Sequence, residues 1–495
     1  MHLPYLGLGL SSNAQTTDLP APYRLLEEAP GAFDFLEYSA PLDLDQARGE
    51  ATLFPTMLER KATVPLLYHP VHLNLWGPTV ERPERLGLLA RHLTEVSSPW
   101  VSNDVGWWHC EGTPLPGYLY LTPPLNAEGL GQVAQHAFTI RDAAPVPLLL
   151  ENPVVMTARG DLHVLDFMER LAVTTKCGLL LDVGHLWSHQ LTRGLGLTEG
   201  LAGFDFTRVA QVHVAGGVVT RRGERGIYVD DHPQPIRDEV WALLEAILPK
   251  CTGLRALTYE GDGHPMEVAK GNLRRLRPLL PARGLDRPTE SSKPEAPRPI
   301  AATDSLWALF DAVHRGECTE DAIGAQAELD YRLAVMAQAL DAVVPLTRLA
   351  VAPTREGLAT FAGSAEFRAW FEHGARDFTE AFVGWAMRRL RDPELAGAEA
   401  LVSLEAWARQ TGRRLANGTA MSASFPVCLS EAVHAARALP RHLSARAGWS
   451  RSGVETSGLE SLLQTARRAG PGPWAVTLRR IGARIEISEA LSRPG

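Results

Sequence analysis

The sequence predicts an α/β fold: a (β/α)8 TIM barrel over residues 1–282, then a mainly helical region that ends in a β-hairpin. Three observations carry this. Eight short apolar runs lie in the first 260 residues, most without polar alternation, as parallel strands buried on both faces require. Helical patterns separate most of these runs. The runs end in a histidine or a carboxylate at steps of 31 to 47 residues, so their ends converge. A closed barrel draws its functional side chains from the C-terminal ends of several strands. An open doubly wound sheet would gather its site at one crevice. Ligand-type residues on six of the eight strands or their following loops favour closure.

Taken in order, the expected strands are Tyr5–Leu10, Phe33–Tyr38, Val64–His69, Trp100–Asp104, Val146–Glu151, Cys177–Val183, Val209–Val214 and Arg255–Glu260. Helices are expected over Asp43–Arg60, Arg82–Glu95, Ala127–Arg141, Asp161–Thr174, Arg237–Leu248 and His264–Leu279, where apolar residues recur at helical steps. The segment RRGERGIYVDDHPQP reads as a polar loop. Residues 283–300 are polar, contain four prolines and read as a linker. Beyond it, residues 301–495 form a second domain. Helices are expected over Ala322–Val343, Ala365–Arg391, Glu399–Gln410, Leu429–Leu439 and Gly458–Ala469. The aromatic stripe Phe367, Trp370, Phe371, Phe378, Phe382 and Trp385 is read as core rather than as a peptide groove. Trp474–Arg480 and Ala483–Ser488 alternate around a short turn and predict the hairpin.

With 45% hydrophobic and 21% charged residues, the 495-residue chain is of globular composition and long enough for two or three domains. No signal-peptide pattern opens it, and no apolar run is long enough to span a membrane. The five cysteines, at 110, 177, 251, 318 and 428, are scattered and odd in number. They fit a reducing cytoplasm and neither a disulfide framework nor a cysteine-bound zinc or iron–sulfur site. Residues 401–495 carry 13 arginines against 6 acidic groups, so this stretch suits an acidic peptide or a nucleic acid, or simply solvated helix faces.

The candidate ligands are His69, Asp104, Glu151, Asp182, His185, His213, Asp230, His232 and Glu260. Each alone has an ordinary explanation: a buried histidine, a helix cap at Asp182, turn chemistry at Asp230 and His232. Together they fall at one end of one barrel. Imidazole and carboxylate without thiolate suit iron, manganese or zinc. Nine donors exceed what one ion takes and would hold two or three, with carboxylates bridging. Five carboxylates in one barrel mouth also require cations to offset their repulsion. Glu151, Asp182 and His213 are the candidate catalytic residues of the set. GxSxG, GxxxxGK[ST] and HExxH motifs are absent, which removes support for serine hydrolase, P-loop and zincin readings.

Six stretches carry a family resemblance: LLYHPVHLNLWG (66–77), Glu151-Asn152-Pro153, LLLDVGH (179–185), QVHVAG (211–216), the DDHPQPI segment and YEGD (259–262). In this order and spacing they resemble the multinuclear non-heme iron-dependent oxidative enzymes, the TIM-barrel family that includes the iron subunit of methanobactin biosynthesis. The resemblance covers roughly residues 4–280. It implies two or three irons at the barrel mouth, dioxygen as co-substrate, and oxidative modification of a ribosomally made precursor peptide, often at cysteine. His69, Glu151, Asp182, His185, His213, Asp230, His232 and Glu260 match the family's iron ligands, and Asn152 matches the asparagine beside the ligand glutamate. Asp104 departs from the pattern: it stands where the family has a ligand histidine, and a harder, anionic donor there favours the ferric state. Gly217 departs too, where many relatives have a histidine. Members commonly require a separate protein that recognises the peptide leader, and residues 301–495 loosely resemble such a partner fused to the enzyme. No membrane is implied, and the acidic barrel disfavours nucleic acid. The alternative is a zinc or manganese barrel of the endonuclease IV and sugar-isomerase type, acting as hydrolase or isomerase.

Overall fold

A computed structural model of the chain describes residues 3–49, 51–70, 72–280, 303–352, 354–373, 377–391, 398–399, 401–403, 405–407, 420–425, 474–481 and 484–491. Two compact units result, one comprising Met1–His109, Tyr120–Ala312 and Gly316–Glu328, the other Cys110–Leu119, Val313–Arg315 and Leu329–Gly495.

The first unit is built on ten strands of interest: β1 Gly7–Ser12, β2 Phe35–Tyr38, β3 Leu66–Tyr68, β4 Val101–Asp104, β5 Leu148–Glu151, β6 Gly178–Asp182, β7 Val209–Ala215, β8 Gly217–Arg222, β9 Arg225–Asp230 and β10 Ala256–Glu260. Eight of them, all except β8 and β9, close into a parallel barrel whose neighbours follow chain order, with β10 pairing β1. All eight expected runs are barrel strands. Their buried faces explain the apolar runs: Leu148, Leu149 and Leu150 are each at most 1% exposed, because the barrel lies on one side and helices on the other.

The elements of the first unit depart from expectation at several places. The pattern over Asp43–Arg60 forms two short helices, Leu44–Ala47 and Phe54–Arg60. Between them Ala51 takes a left-handed backbone, φ 64°, which no helix continues. Val183–Arg193 is a helix that the sequence reading did not delimit. The segment read as a polar loop is the antiparallel hairpin β8–β9, registered Gly217↔Asp230 to Arg222↔Arg225 around Gly223. Gly223 supplies the positive φ of 62° that the tight turn requires.

In the second unit the described helices include Pro345–Val351, Arg355–Ala362, Ala365–His373 and Phe378–Arg389. The stretch read as one helix over Ala365–Arg391 is two, because Asp377 caps a fresh start through Thr379 N. The aromatic stripe is core: Phe367, Phe371 and Phe382 are fully buried, and Phe361 meets Phe382 edge-on at 5.0 Å. The C-terminal hairpin forms as Trp474–Ile481 and Arg484–Leu491, with Ala420–Phe425 added as a third antiparallel strand. The linker 283–300 and the helices expected over Leu429–Leu439 and Gly458–Ala469 lie outside the described residues. Of Glu399–Gln410, residues 399, 401–403 and 405–407 are helical. Among the described residues no helix is long and apolar enough to cross a membrane.

Candidate metal centre

Side chains in a strand alternate faces, so every second residue of a barrel strand points inward. The inward series starts with an apolar floor of Phe35, Leu67, Trp100, Leu149, Leu180, Ala210 and Ala256. Two residues further along, the same faces carry Glu37, His69, Ser102, Glu151, Asp182 and Thr258. The parallel register sets donors of adjacent strands side by side: Asp104 pairs with Glu151 and Asp182 with His213. The result is a bowl of imidazoles and carboxylates at the C-terminal mouth above a dry floor.

The groups beneath orient each ring. Gln211 takes the Trp100 indole N–H on Oε1 at 2.8 Å and donates to both oxygens of Glu37, at 2.9 and 2.8 Å. Thr258 also donates to Glu37, at 2.5 Å. Glu37 is therefore a fixed acceptor, and His213 Nε2 lies 3.0 Å from it. A carboxylate acceptor assigns a proton to Nε2, so Nδ1 is the nitrogen turned to the bowl. That Nδ1 lies 3.4 Å from both Glu151 Oε1 and Glu260 Oε1. Asn152 holds the backbone of Asp182 from both sides, at 2.8 and 3.0 Å, and its carbonyl lies 2.8 Å from His185 Nδ1. His185 Nε2 is thereby left facing Asp182 Oδ1 at 3.9 Å and Asp230 Oδ2 at 3.5 Å. His232 Nδ1 lies 3.1 Å from Asp262, and its Nε2 faces Asp230 at 3.2 Å and Glu260 at 3.9 Å. His69 Nδ1 meets Ser102 Oγ at 3.0 Å, and its Nε2 is 3.6 Å from Glu151 and 3.8 Å from Asp104. Asp182 serves twice: Oδ1 caps the Val183–Arg193 helix at His185 N, 2.6 Å away, and Oδ2 is buried with no hydrogen-bond partner.

All nine residues singled out from the sequence come together. Seven of them, with Glu37, form four overlapping groups whose donor atoms lie within 4.8 Å of one another: Glu37–His69–His213, His69–Asp104–Glu151, Glu151–Asp182–His185 and Asp182–His213–Glu260. Asp230 and His232 flank these groups through His185 and Glu260. Glu37 and Asp262 are additions that the sequence reading missed. Glu37 carried a signal, since it follows Phe35 by two residues as His69 follows Leu67. Gly217 also finds its reason. A Cβ there would lie 2.1 Å from the Tyr228 hydroxyl, so the phenol fills the space a side chain would need.

The site fits a metal. Glu151 Oε2, Asp182 Oδ2, His213 Nδ1 and Asp230 Oδ1 are buried and have no hydrogen-bond partner, a costly state unless a cation meets them. Burial, against the opposing His213 and His232 and with the Asp182 and Glu151 carboxylates adding to it, pushes the Glu260 carboxyl up to about 7. Among the described residues no thiol belongs to the groups: Cys110, Cys177 and Cys251 are buried elsewhere and Cys318 is half-buried.

Fold and donors define a (β/α)8-barrel protein with a candidate multinuclear metal centre at its C-terminal mouth. Residues 14–271 match the family model of the RiPP precursor modification enzymes MbnB/TglH/ChrH, and the chain belongs to that family, whose members modify ribosomally made precursor peptides. Similar proteins include a UPF0276 protein of Caulobacter vibrioides, 29% identical over 203 residues, 41% of this chain and 70% of the relative. One from Bordetella parapertussis is 28% identical over 285 residues, 56% of this chain and 95% of its own. Among solved structures, endonuclease IV from Thermus thermophilus is similar at 16% identity and a TM-score of 0.37, over 55% of this chain and 98% of that one. D-psicose 3-epimerase from Clostridium cellulolyticum is similar at 11% and 0.36, over 56% and 100%.

Proposed function

We propose that this chain oxidatively modifies a ribosomally made precursor peptide at cysteine, using two or three irons in the barrel mouth and dioxygen as co-substrate. The observation that supports it most is the set of overlapping donor groups in which Glu151 and Asp182 are each shared, as bridging carboxylates of a multinuclear site would be. His69, Asp104 and Glu151 would hold one ion. Glu151, Asp182 and His185 would hold another. Asp182, His213 and Glu260 would hold a third, with Asp230 and His232 beside it. Iron there supplies one-electron chemistry toward dioxygen and Lewis acidity toward a thiol.

The chain's own residues do the rest. Glu37, the Asn152 carbonyl and Asp262 each lie within hydrogen-bond reach of one ring nitrogen of His213, His185 and His232, which would leave the other nitrogen for a metal. The apolar floor keeps water from entering beneath. A substrate thiolate would meet no rival thiol among the described donors, which favours cysteine as the modified residue. Residues 301–495 would serve as the peptide-recognition module, making a separate partner unnecessary, and the scattered thiols suit a cytoplasmic enzyme.

The test is elemental mass spectrometry on protein purified without oxygen. Two to three irons per chain with little zinc is the expected result. Mainly zinc or manganese, with no gain in activity after iron reconstitution, would overturn the reading in favour of hydrolase or isomerase chemistry. Crosslinking of the neighbouring precursor peptide to the whole chain is expected to map to residues 301–495.

A further inference from the structure

Part of the chain beyond the Pro-rich stretch belongs to the barrel unit: residues up to Ala312 and Gly316–Glu328. Trp307 meets Trp107 edge-on at 5.0 Å, and Phe310 lies 5.8 Å from the same ring. The polar contacts are more specific. Asp321, 6% exposed, accepts both terminal nitrogens of Arg225, the second at 2.7 Å, the backbone N–H of Ala158 at 2.7 Å and that of Gly324 at 2.9 Å. Glu328, also 6% exposed, accepts Thr157 Oγ1 at 2.6 Å and Arg159 Nη1 at 2.9 Å. A Cβ on Gly324 would lie 2.6 Å from the Met156 carbonyl oxygen, so the backbones themselves approach closely.

Both partners of this strap lead into the metal centre. Residues 152–160 follow Glu151 directly. On their other side Val155 N donates to Ser188 Oγ at 2.8 Å and Thr192 Oγ1 donates to the Val155 carbonyl at 2.7 Å, both on the helix that carries His185. Arg225 begins β9, and Asp230 ends it. One carboxylate thus ties the loop after Glu151 to the strand that delivers Asp230. A buried charge paired bidentately and met by two N–H groups is a directional tie, and removing it strands the guanidinium and both N–H groups.

We propose that Asp321, seconded by Glu328, is a positioning residue: residues 316–328 hold the 152–160 loop and the β8–β9 hairpin in the arrangement that completes the metal centre. The inference rests on the reading that the bowl binds metal. It makes the region beyond the linker part of the enzyme's architecture, apart from any role in peptide recognition.

The experiment uses the whole chain and three variants, Asp321→Ala, Arg225→Ala and, as a control, Asp341→Asn. The control removes an ion pair to Arg348, 2.7 Å long, within the second unit. Two readouts are taken: metal per chain, and amide hydrogen exchange on metal-free protein. Expected is a loss of about one ion per chain in D321A and R225A. Exchange at 152–160 and 225–230 should rise tenfold or more there, while β1 and β2 and the whole control stay unchanged. Unchanged exchange at both segments, or an equal rise across all barrel strands, would overturn the proposal. If D321A fails to fold, R225A decides. A wild-type protein without metal overturns the metal reading, and the exchange comparison still judges the strap.

Discussion

Replacing Glu37 with glutamine tests how the bowl is prepared for metal. Burial works against its charge, but His213 and His69 beside it hold its pKa at about 2, so it is ionised at neutral pH. It receives Gln211 on both oxygens and His213 and Thr258 on Oε2. Glutamine keeps the shape and converts one acceptor into a donor. With its oxygen kept toward His213 and Thr258, its amide nitrogen must oppose the Gln211 amide at the old Oε1 position. One buried donor left unmet costs about 1–3 kcal/mol, and losing charge assistance to His213 adds roughly 1 kcal/mol. The expected destabilisation of the metal-free protein is about 2–4 kcal/mol, read from urea unfolding. His213 also becomes a weaker donor at Nδ1, since a neutral amide oxygen polarises its Nε2–H less than a carboxylate does. Changes to such supporting groups typically weaken metal binding roughly 10–100-fold. Anaerobic competition against a chromophoric chelator measures this. An affinity within threefold of wild type would show that the Glu37 charge does not strengthen His213 as a metal donor.

Three further outcomes are expected. His213→Ala should lower iron content and turnover together, and full activity in that variant would remove the residue from the site. Gly216→Ala should weaken metal binding and destabilise the protein by several kcal/mol, about the size of other backbone-clash effects, because a Cβ there lies 1.7 Å from the Gln234 carbonyl oxygen and 2.7 Å from that of His232; an unaltered melting curve would contradict the packing described. Glu81 bears on acid stability. Burial would raise its pKa, but His109, Arg85 and the Asn74 N–H hold it at about 2, against 4.5 when unperturbed. Its stabilisation is full above about pH 4.5 and is lost as pH falls toward 2, an effect of roughly 3 kcal/mol by linkage. Glu81→Gln should flatten that part of the stability–pH curve, and an unchanged slope would refute the assignment.

The barrel was legible because parallel strands buried on both faces become apolar runs, and because their ends carry histidines and carboxylates. Six of the nine donors, His69, Asp104, Glu151, Asp182, His213 and Glu260, follow from that one rule. Glu37 escaped it since Tyr38 and Ser39 follow it, so it does not look like the end of a run; period-two alternation from Phe35 was the signal that holds. The β8–β9 hairpin escaped because it is half-exposed and arginine-rich, and its polar face imitates a loop. The break at Ala51 was invisible for another reason. An alanine with positive φ is held by tertiary contacts, here the Leu53 N–H on the Ala14 carbonyl and the Thr16 N–H on that of Ala51. Helix propensity reports none of these. Asp262 lay inside a motif already noticed, but only its ring-to-carboxylate contact with His232 reveals its part.

Seven of the eight barrel strands send a side chain into the bowl, directly or one residue past their end. No contiguous fragment of the barrel therefore carries a whole coordination shell. Fraying of any one of these seven strands would drop a donor, and a bound cluster would in turn oppose fraying around most of the ring. Metal release and opening of the barrel become a single cooperative event. The cluster would act as a keystone: chelation should loosen strands far apart in sequence at the same rate, and reloading should tighten them together.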